Sequence, residues 1–267
     1  MYDLAIIGSG PAALTAAIYA VRAGLRVGVF ERSNFGGALV EISHIANFPG
    51  FDGEGKDLSE KLVTQAKAAG VEFSYGTCSS LRPLMIDGEE VDARAVLVAT
   101  GSEPIHLSVP TSAPVSYCAL CDGDLYKGKK VLVVGGGNSA VSEAIHLSKI
   151  AKTVTILSHS FLKAQEVLIR EARALSNIEI IENTEPTTEF LNSFDGVFVL
   201  IGKRPASSLF PPHLLDESGY IKTDSGYMTG EPGIFAAGDV RSGSVKQAIT
   251  AAADGAAAGI KISEFLH

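Results

Sequence analysis

Short runs of mostly apolar residues recur along the chain, and each run ends at or just before a glycine. They occupy residues 3–7, 95–99, 130–134, 194–201 and 233–237. A short apolar run that stops at a glycine is typical of a strand buried on both faces of a parallel sheet. These runs therefore predict the central strands of one or more parallel sheets.

Segments with helical patterning lie between the apolar runs. Residues 58–69 place apolar side chains on one face and end at Gly70, residues 141–149 are similar, and residues 244–262 are rich in alanine. Residues 71–75 and 80–86 predict two further strands. Strands that alternate with helices in this way predict the α/β class.

The first strand opens a complete nucleotide-binding pattern. In order it comprises strand 3–7, the G-x-G-x-x-A loop Gly8-Ser9-Gly10-Pro11-Ala12-Ala13, helix 14–23 and strand 26–30. Gly8 permits the tight turn, Gly10 lets a pyrophosphate approach the helix N-terminus, and Ala13 lets helix and strand pack closely. Glu31 ends the second strand, where a carboxylate accepts hydrogen bonds from a ribose. Glu31 as a merely exposed strand end is the lesser alternative.

The same pattern returns in the middle of the chain. Strand 130–134 precedes a second G-x-G-x-x-A loop at residues 135–140, followed by helix 141–149 and strand 153–157. Ser158-His159-Ser160 follows this strand, so neither an acid for a ribose nor an arginine for a 2′-phosphate stands there. The sequence predicts two Rossmann-like folds, and the second loop either binds a dinucleotide or is kept for packing.

Two further segments, taken by themselves, have patterns that are common in loops and turns. Asn47-Phe48-Pro49-Gly50 has the composition of a loop turn. Gly238-Asp239 follows a strand, and Asp239 could simply cap the local backbone.

Composition narrows the functional classes. The 267 residues are 46% apolar with 28 glycines, and their net charge of −8 argues against nucleic-acid binding. No segment resembles a signal peptide or approaches the roughly 20 apolar residues of a membrane helix. Three cysteines do not suggest a secreted disulfide framework. We expect a cytoplasmic protein that binds neither nucleic acid nor membrane.

Cys118-Ala119-Leu120-Cys121-Asp122-Gly123 carries the candidate chemistry. Cysteines at this spacing beside βαβ units are typical of a redox dithiol. Asp122 adds an acid that can supply a proton when a disulfide opens. The alternatives are half of a zinc site and two buried core cysteines. Zinc needs four ligands, and only Cys78 and six histidines without paired metal spacing remain.

These features together resemble the low-molecular-weight thioredoxin reductases, along essentially the whole chain. The matching motifs are Gly8–Ala13, Asn47–Gly50, Val98–Gly101, Cys118–Gly123, Gly135–Ala140 and Gly238–Val240 with Gln247-Ala248. The resemblance implies two three-layer (ββα) Rossmann-like domains, the second inserted in the first. Residues 1–108 and 209–267 would form the FAD-binding domain, and residues 109–208 a central domain with the redox C-x-x-C.

The resemblance also implies roles for individual residues. Cys121 would face the flavin, Cys118 would exchange with the substrate disulfide, and Asp122 would be the acid. Asp239 would lie near the ribityl–pyrophosphate, and Asn47 and Gln247 near the isoalloxazine. The implied FAD-binding residues are Gly8, Gly10, Pro11, Ala12, Ala13, Glu31, Gly37, Asn47, Thr100, Gly101, Gly238, Asp239, Gln247 and Ala248. Family members are usually homodimers, and they reduce thioredoxin or a similar disulfide protein.

One departure from the family pattern concerns the electron donor. NADPH-using members carry His-Arg-Arg after the second strand of the central domain and another arginine soon after. Here Ser158-His159-Ser160 takes that place and Lys163 is the nearby cation. Without arginines to bind the 2′-phosphate through two hydrogen bonds each, the site loses most of its preference for a 2′-phosphate, so NADPH is doubtful as a cofactor. The chain is thus similar to ferredoxin-dependent or other NADPH-independent flavin thioredoxin reductases.

Charge distribution favours the same donor class. Residues 116–205 contain ten Lys and Arg and ten Asp and Glu, whereas the remainder contains twelve and twenty. An acidic donor such as ferredoxin would prefer the less acidic central domain. The alternatives are an ordinary NAD(P)H-dependent thioredoxin reductase, and a flavin-binding redox carrier or sensor without thioredoxin turnover.

Overall fold

The structure, a computed structural model, describes residues 1–42 and 45–267 apart from the side chains of Ala46, Leu120 and Cys121. The chain forms two compact units. Unit 1 contains residues 1–103 and 205–267, and unit 2 contains residues 104–204. The predicted domain boundaries lie within five residues of these two changeover points.

The secondary structure alternates strands and helices. The helices are α1 Pro11–Arg22, α2 Gly55–Ala69, α3 Ala119–Asp122, α4 Asn138–Ser148, α5 Glu166–Ala174, α6 Thr188–Leu191 and α7 Ala248–Leu266. The first ten strands are β1 Tyr2–Ile7, β2 Val27–Glu31, β3 Ile45–Phe48, β4 Phe51–Gly53, β5 Glu72–Tyr75, β6 Cys78–Leu81, β7 Leu84–Ile86, β8 Glu89–Glu90, β9 Ala93–Val98 and β10 Ser102–Pro104. The remaining strands are β11 Val115–Ser116, β12 Lys130–Val134, β13 Thr153–Leu157, β14 Ile178–Ile181, β15 Gly196–Val199, β16 Lys203–Pro205 and β17 Ile234–Ala236.

Unit 1 is built on a five-stranded parallel sheet in the order β17-β9-β1-β2-β5. Because successive side chains of a strand point to opposite faces, β1 supplies both layers of the core. Leu4 and Ile6 pack among residues of α1 and α7, whereas Ala5 and Ile7 pack against a cluster that includes Leu84 of the antiparallel sheet β6-β7-β8. Unit 1 therefore has a helical layer, a parallel sheet and a second, antiparallel sheet.

Helix α7 crosses the backbone of α1 at very close range. A Cβ atom on Gly255 would overlap the carbonyl oxygen of Ala12, and one on Gly259 would lie 2.8 Å from the carbonyl oxygen of Ala16. Small residues on both helices make this contact possible. The alanine-rich composition of α7 follows from the contact, which holds the C-terminal helix beside the first glycine loop.

Unit 2 repeats the arrangement with the strand order β11-β15-β12-β13-β14, all parallel. Its central strand β12 leads into the second glycine loop and then α4, as β1 leads into the first loop and α1. Helices α4 and α5 cover one face of the sheet. Among the described residues, α6 and side chains from residues 107–117 cover the other face. The predicted α/β class with two Rossmann-like domains is confirmed.

Two local predictions were wrong. The single strand predicted over residues 80–86 is a hairpin of β6 and β7 that turns at Arg82-Pro83, because proline has no N–H to continue a ladder. Helix α7 begins at Ala248 and not at Ser244. Its N-cap is Gln247, whose backbone N–H donates to Thr250 Oγ1 at 3.2 Å. No helix within the described ranges is long and apolar enough to cross a membrane.

Candidate active site

The first glycine loop has the geometry that a dinucleotide needs. Gly8 has a φ of +101°, and a Cβ atom there would collide with the backbone of Ala99. Gly37, at φ +59°, would bring a Cβ atom within 2.9 Å of the Gly10 Cα. Gly10 caps α1, and nothing lies within 4 Å of the position that its own Cβ would take. The α1 N-terminus, which begins with Pro11, is therefore open to a phosphate.

Glu31 is held beside this loop by defined hydrogen bonds. It is 8% exposed at the end of β2. Its carboxylate accepts hydrogen bonds from the Ser9 hydroxyl at 2.7 Å and from the Ser33 backbone N–H at 3.0 Å. Ser9 Oγ also accepts a hydrogen bond from the Gly36 N–H at 3.1 Å. Ser9 was not predicted as a site residue, because it occupies an x position of the G-x-G-x-x-A motif.

Thr100 and Gly101 follow β9, the strand that pairs with β1, so they lie beside the first glycine loop. The Thr100 hydroxyl donates to the Ala206 carbonyl oxygen at 2.7 Å, and the Ala206 N–H donates to the Gly101 carbonyl oxygen at 3.0 Å. Since carboxyl ends of parallel strands meet at one sheet edge, the ends of β1, β2 and β9 form a continuous rim. A ligand that lies across the open α1 N-terminus would meet this rim.

Asn47 and Gln247 meet although 200 residues separate them. The Asn47 side-chain amide donates to Gln247 Oε1 at 3.0 Å, and both side chains are exposed. Asn47 lies on β3, Gln247 caps α7, and Ala248 is the first residue of that helix. The hairpin β3-β4, predicted only as a loop turn, thus places an amide against the start of α7.

A half-buried ion pair supports the Gly238-Asp239 turn. The Asp254 carboxylate accepts hydrogen bonds from the Gly238 N–H at 3.2 Å and from the Arg241 guanidinium at 3.0 and 3.1 Å. A Cβ on Gly238 would lie 2.8 Å from the Cβ of Ala12, so this turn touches the α1 N-terminal region. The Asp239 Oδ1 atom is buried. Asp254 was not predicted, although a carboxylate inside an alanine-rich helix was a usable signal.

The residues of unit 1 fit an FAD. Glycines without room for a side chain adjoin the open α1 N-terminus, a hydrogen-bonded carboxylate ends β2, and exposed amides lie at the start of α7. These groups match in turn a pyrophosphate, a ribose and a polar ring edge. Every residue implied to bind FAD lies in unit 1.

The candidate redox centre lies in unit 2. Cys118 is disulfide-bonded, whereas Cys78 is a free thiol on β6 in unit 1. The Cys121 side chain is outside the described part of the chain, so its pairing with Cys118 stays a prediction. Burial raises the pKa of the Cys78 thiol. No three His, Cys, Asp or Glu side chains of the described ranges are grouped as a metal site.

Two polar side chains hold α3 in place, and neither was predicted from the sequence. Ser116, 4% exposed at the end of β11, donates to Asp122 Oδ2 at 2.7 Å and accepts from the Cys118 N–H at 3.1 Å. Glu143 Oε2, on α4, accepts from the Ala119 N–H at 2.8 Å. The segment that begins at Cys118 is thus tied both to the sheet and to the helix that follows the second glycine loop.

The second glycine loop is formed, but its cofactor-selecting end differs from the first. The Ser158 side chain is buried where a Cβ on Gly136 would have to lie. The Lys163 N–H donates to the Gly136 carbonyl oxygen at 2.7 Å, and the Lys163 side chain is exposed. Arg173, farther along, lies 3.7 Å from Glu182. Gly137 is exposed, with nothing within 4 Å of its Cβ position, so the loop itself remains accessible.

Comparison with known proteins assigns the family. Residues 2–255 match the pyridine nucleotide-disulphide oxidoreductase family. A thioredoxin reductase from Listeria innocua is 36% identical and aligns with 100% of this chain and 94% of its own. The "34.2 kDa protein in rubredoxin operon" of Clostridium pasteurianum is 37% identical, with 99% and 97% covered. The structure of Lactococcus lactis thioredoxin reductase matches with a TM-score of 0.90 at 32% identity, covering 100% of this chain and 99% of that one. The chain therefore belongs to the pyridine nucleotide-disulphide oxidoreductase family, as an FAD-dependent, thioredoxin reductase-like flavoenzyme.

Proposed function

We propose that this enzyme passes two electrons from FAD to a Cys118–Cys121 disulfide, and from the resulting dithiol to thioredoxin or a similar disulfide protein. The observation that carries the proposal is the disulfide-bonded Cys118 whose backbone N–H shares the Ser116 hydroxyl with Asp122. The Ser116 side chain therefore contacts both the candidate acid Asp122 and the backbone of the candidate redox residue Cys118. The enzyme would act as a cytoplasmic homodimer.

The residues of unit 1 would hold the FAD, which supplies the electron pair that reduces the disulfide. The open α1 N-terminus attracts the pyrophosphate, and the Glu31 carboxylate accepts hydrogen bonds from ribose hydroxyls. Asp239 would contact the ribityl–pyrophosphate region. The amides of Asn47 and Gln247 would contact the polar edge of the isoalloxazine.

The dithiol would then act by exchange. The Cys118 thiolate attacks one sulfur of the partner disulfide, a Cys118–partner disulfide forms, and the partner's other sulfur leaves as a thiolate that takes a proton. The Cys121 thiolate next attacks the Cys118 sulfur, which releases the reduced partner and restores the internal disulfide. Asp122 would supply a proton to a leaving thiolate.

We infer that the electron donor is a reduced protein carrier such as ferredoxin, and not NADPH. The end of β13 carries the buried Ser158 and the exposed His159, where a 2′-phosphate would need arginine. The alignment with the Listeria protein is 306 positions long, so that relative contains residues that this chain of 267 lacks. The Clostridium relative is named for a rubredoxin operon, a context of redox proteins.

A lysine surface on unit 2 supports an acidic protein donor. It consists of Lys127, Lys129, Lys130, Lys149 and Lys152, all exposed. Backbone hydrogen bonds join the two segments that carry these lysines. The Gly128 N–H donates to the Ile150 carbonyl oxygen, and the Lys152 N–H donates to the Lys129 carbonyl oxygen. Within the described ranges none of the five lysines forms an ion pair with a carboxylate. In a chain of net charge −8, such a surface would attract an acidic carrier.

NADH is the second candidate donor, favoured by the accessible loop at Gly137. Anaerobic titration of the flavin absorbance with NADPH, NADH and reduced ferredoxin separates these donors. We expect rapid bleaching by ferredoxin, with none by NADPH. Rapid bleaching by NADPH would refute the donor proposal and leave the dithiol chemistry standing.

The dithiol proposal has its own test. Cys118→Ser should abolish disulfide turnover while FAD stays bound, and Cys78→Ser should leave turnover unchanged. Undiminished reduction of thioredoxin by the Cys118→Ser variant would refute the exchange step.

A further inference from the structure

Ser116 lies at the meeting point of the redox segment and its candidate acid. Its hydroxyl oxygen is 2.7 Å from Asp122 Oδ2, 3.1 Å from the Cys118 carbonyl oxygen and 3.1 Å from the Cys118 backbone nitrogen. The Cys118 N–H donates to Ser116 Oγ, so that contact does not depend on the hydroxyl hydrogen. Ser116 itself is 4% exposed, which leaves little room for water to replace any partner.

The hydroxyl has one hydrogen and two acceptors within reach. When Asp122 is ionised, the hydrogen is best directed at the carboxylate, because hydrogen bonds to charged acceptors are the stronger ones. When Asp122 carries a proton on Oδ2, that carboxyl group becomes the donor to Ser116 Oγ. The serine hydrogen then points to the Cys118 carbonyl oxygen, which also accepts a hydrogen bond from the Asp122 backbone N–H at 3.3 Å. Both arrangements use the same heavy-atom positions.

We propose that Ser116 is a positioning residue whose hydroxyl reorients with the protonation state of Asp122 and so keeps the acid fixed beside Cys118 in both states. The inference rests on the proposed function, in which Asp122 gives its proton to a thiolate after the disulfide has opened. The electrons come from the flavin, the proton leaves Asp122, and the serine keeps its own hydrogen throughout. No backbone movement is needed between the two states.

Other titratable groups lie around α3. Glu143 approaches from α4 through the Ala119 N–H, and Tyr126 lies on the turn after α3, where burial and the Asp122 charge raise its pKa. Asp124 belongs to the same turn and interacts electrostatically with His146 of α4, whose pKa burial lowers. Among the hydrogen bonds of the described residues, the side-chain contact of Asp122 is the one with Ser116.

The test measures how the reduction potential of the disulfide depends on pH. Holoenzyme is equilibrated anaerobically with dithiothreitol mixtures, thiols are trapped by alkylation, and Cys118 is quantified by mass spectrometry. A break in the profile marks a group whose ionisation is coupled to the dithiol. Without the Ser116 hydroxyl, ionised Asp122 loses a donor, so we expect Ser116→Ala to move the break upward by about one pH unit.

Four further variants make the outcome specific. Asp122→Asn should remove the break that Ser116→Ala moves and leave those of the thiols themselves, and Ser116→Ala should then have no further effect in the Asp122→Asn background. Ser148→Ala, which removes a half-buried hydroxyl elsewhere in unit 2, should keep the wild-type profile. Ser116→Thr retains a hydroxyl and should keep the break near its wild-type position, which separates loss of the hydrogen bond from misfolding.

Two results would overturn the inference in distinguishable ways. If Asp122→Asn removes the break but Ser116→Ala keeps the wild-type profile, Ser116 does not act on the acid and the proposed function stands. If Asp122→Asn itself leaves the profile unchanged, the role of Asp122 in the proposed function fails together with the inference.

Discussion

The side-chain amide of Asn47 donates a hydrogen bond to Gln247, which joins the hairpin β3-β4 to the first turn of α7 at 3.0 Å. Each amide keeps further hydrogen-bonding capacity, because Asn47 uses one of its two amide hydrogens and the Gln247 oxygen, which also accepts from the Thr250 N–H, leaves the Gln247 NH₂ group outside the pair. The contact therefore orients two exposed polar groups without exhausting them. Such an arrangement is suited to a ligand with both donors and acceptors at its edge.

Removal of one amide should weaken FAD binding. Gln247→Ala removes the group that orients Asn47 and, under the proposed function, a contact with the flavin, so we expect a cost of about 1 kcal/mol, a roughly fivefold rise in Kd. Fluorescence titration of the apoprotein with FAD measures this change. Gln65→Ala, at an exposed site of α2, is the matched control. Equal FAD affinity in the two variants would contradict the placement of Gln247 at the cofactor.

Loss of the Asp254 carboxylate should destabilise unit 1. The side chains of Asp254 and Arg241 are 15% and 21% exposed, and an asparagine at 254 has one neutral oxygen where the guanidinium and the Gly238 N–H now share two charged ones. We expect Asp254→Asn to lower the free energy of unfolding by about 1–2 kcal/mol, measured from the urea midpoint. Glu264→Gln, which breaks the exposed pair with Lys261, should cost about 0–0.5 kcal/mol. Similar costs for both would show that burial of the Asp254 pair does not matter.

The lysine surface should govern encounter with an acidic donor. We expect Lys127→Ala with Lys152→Ala to slow flavin reduction by an acidic ferredoxin several-fold at low ionic strength. The difference should shrink as salt screens the charges over about 10 Å at 0.1 M. Stopped-flow flavin absorbance gives the rate constant, and reduction by dithionite should not change.

The control for this prediction removes two lysines elsewhere. Lys56→Ala with Lys61→Ala changes the net charge equally, but at exposed positions of α2 in unit 1. If both double variants slow the reaction alike, total charge decides the rate and the lysine surface is not the docking site.

Cys78 should behave as a slow thiol. Burial raises its pKa, so the thiol is protonated and weakly nucleophilic near neutral pH, and its reactivity should increase as pH rises. Mass spectrometry after iodoacetamide treatment of the oxidised enzyme should show slow labelling of Cys78 at neutral pH that accelerates in alkaline buffer. Labelling of Cys78 that is fast and independent of pH would mean that this thiol is exposed and ionised.

The sequence by itself determined the architecture and most of the candidate site. Apolar runs that end at glycines predicted the parallel strands, since burial on both faces leaves few polar positions in them. The two G-x-G-x-x-A loops predicted the two Rossmann-like folds. Each glycine lies where this turn leaves no room for a side chain, and that requirement is local. Both signals depend on residues close in sequence, and both appear in the structure.

Tertiary structure decided which distant side chains support the site. Ser9 at Glu31, Asp254 at the Gly238 turn and Ser116 at Asp122 are polar groups that local patterning leaves ambiguous. Their meaning comes from the need to satisfy buried donors and acceptors, and partners for those groups arrive from other strands and helices. The sequence named the residues expected to carry the chemistry; only folding showed which neighbours hold them in place.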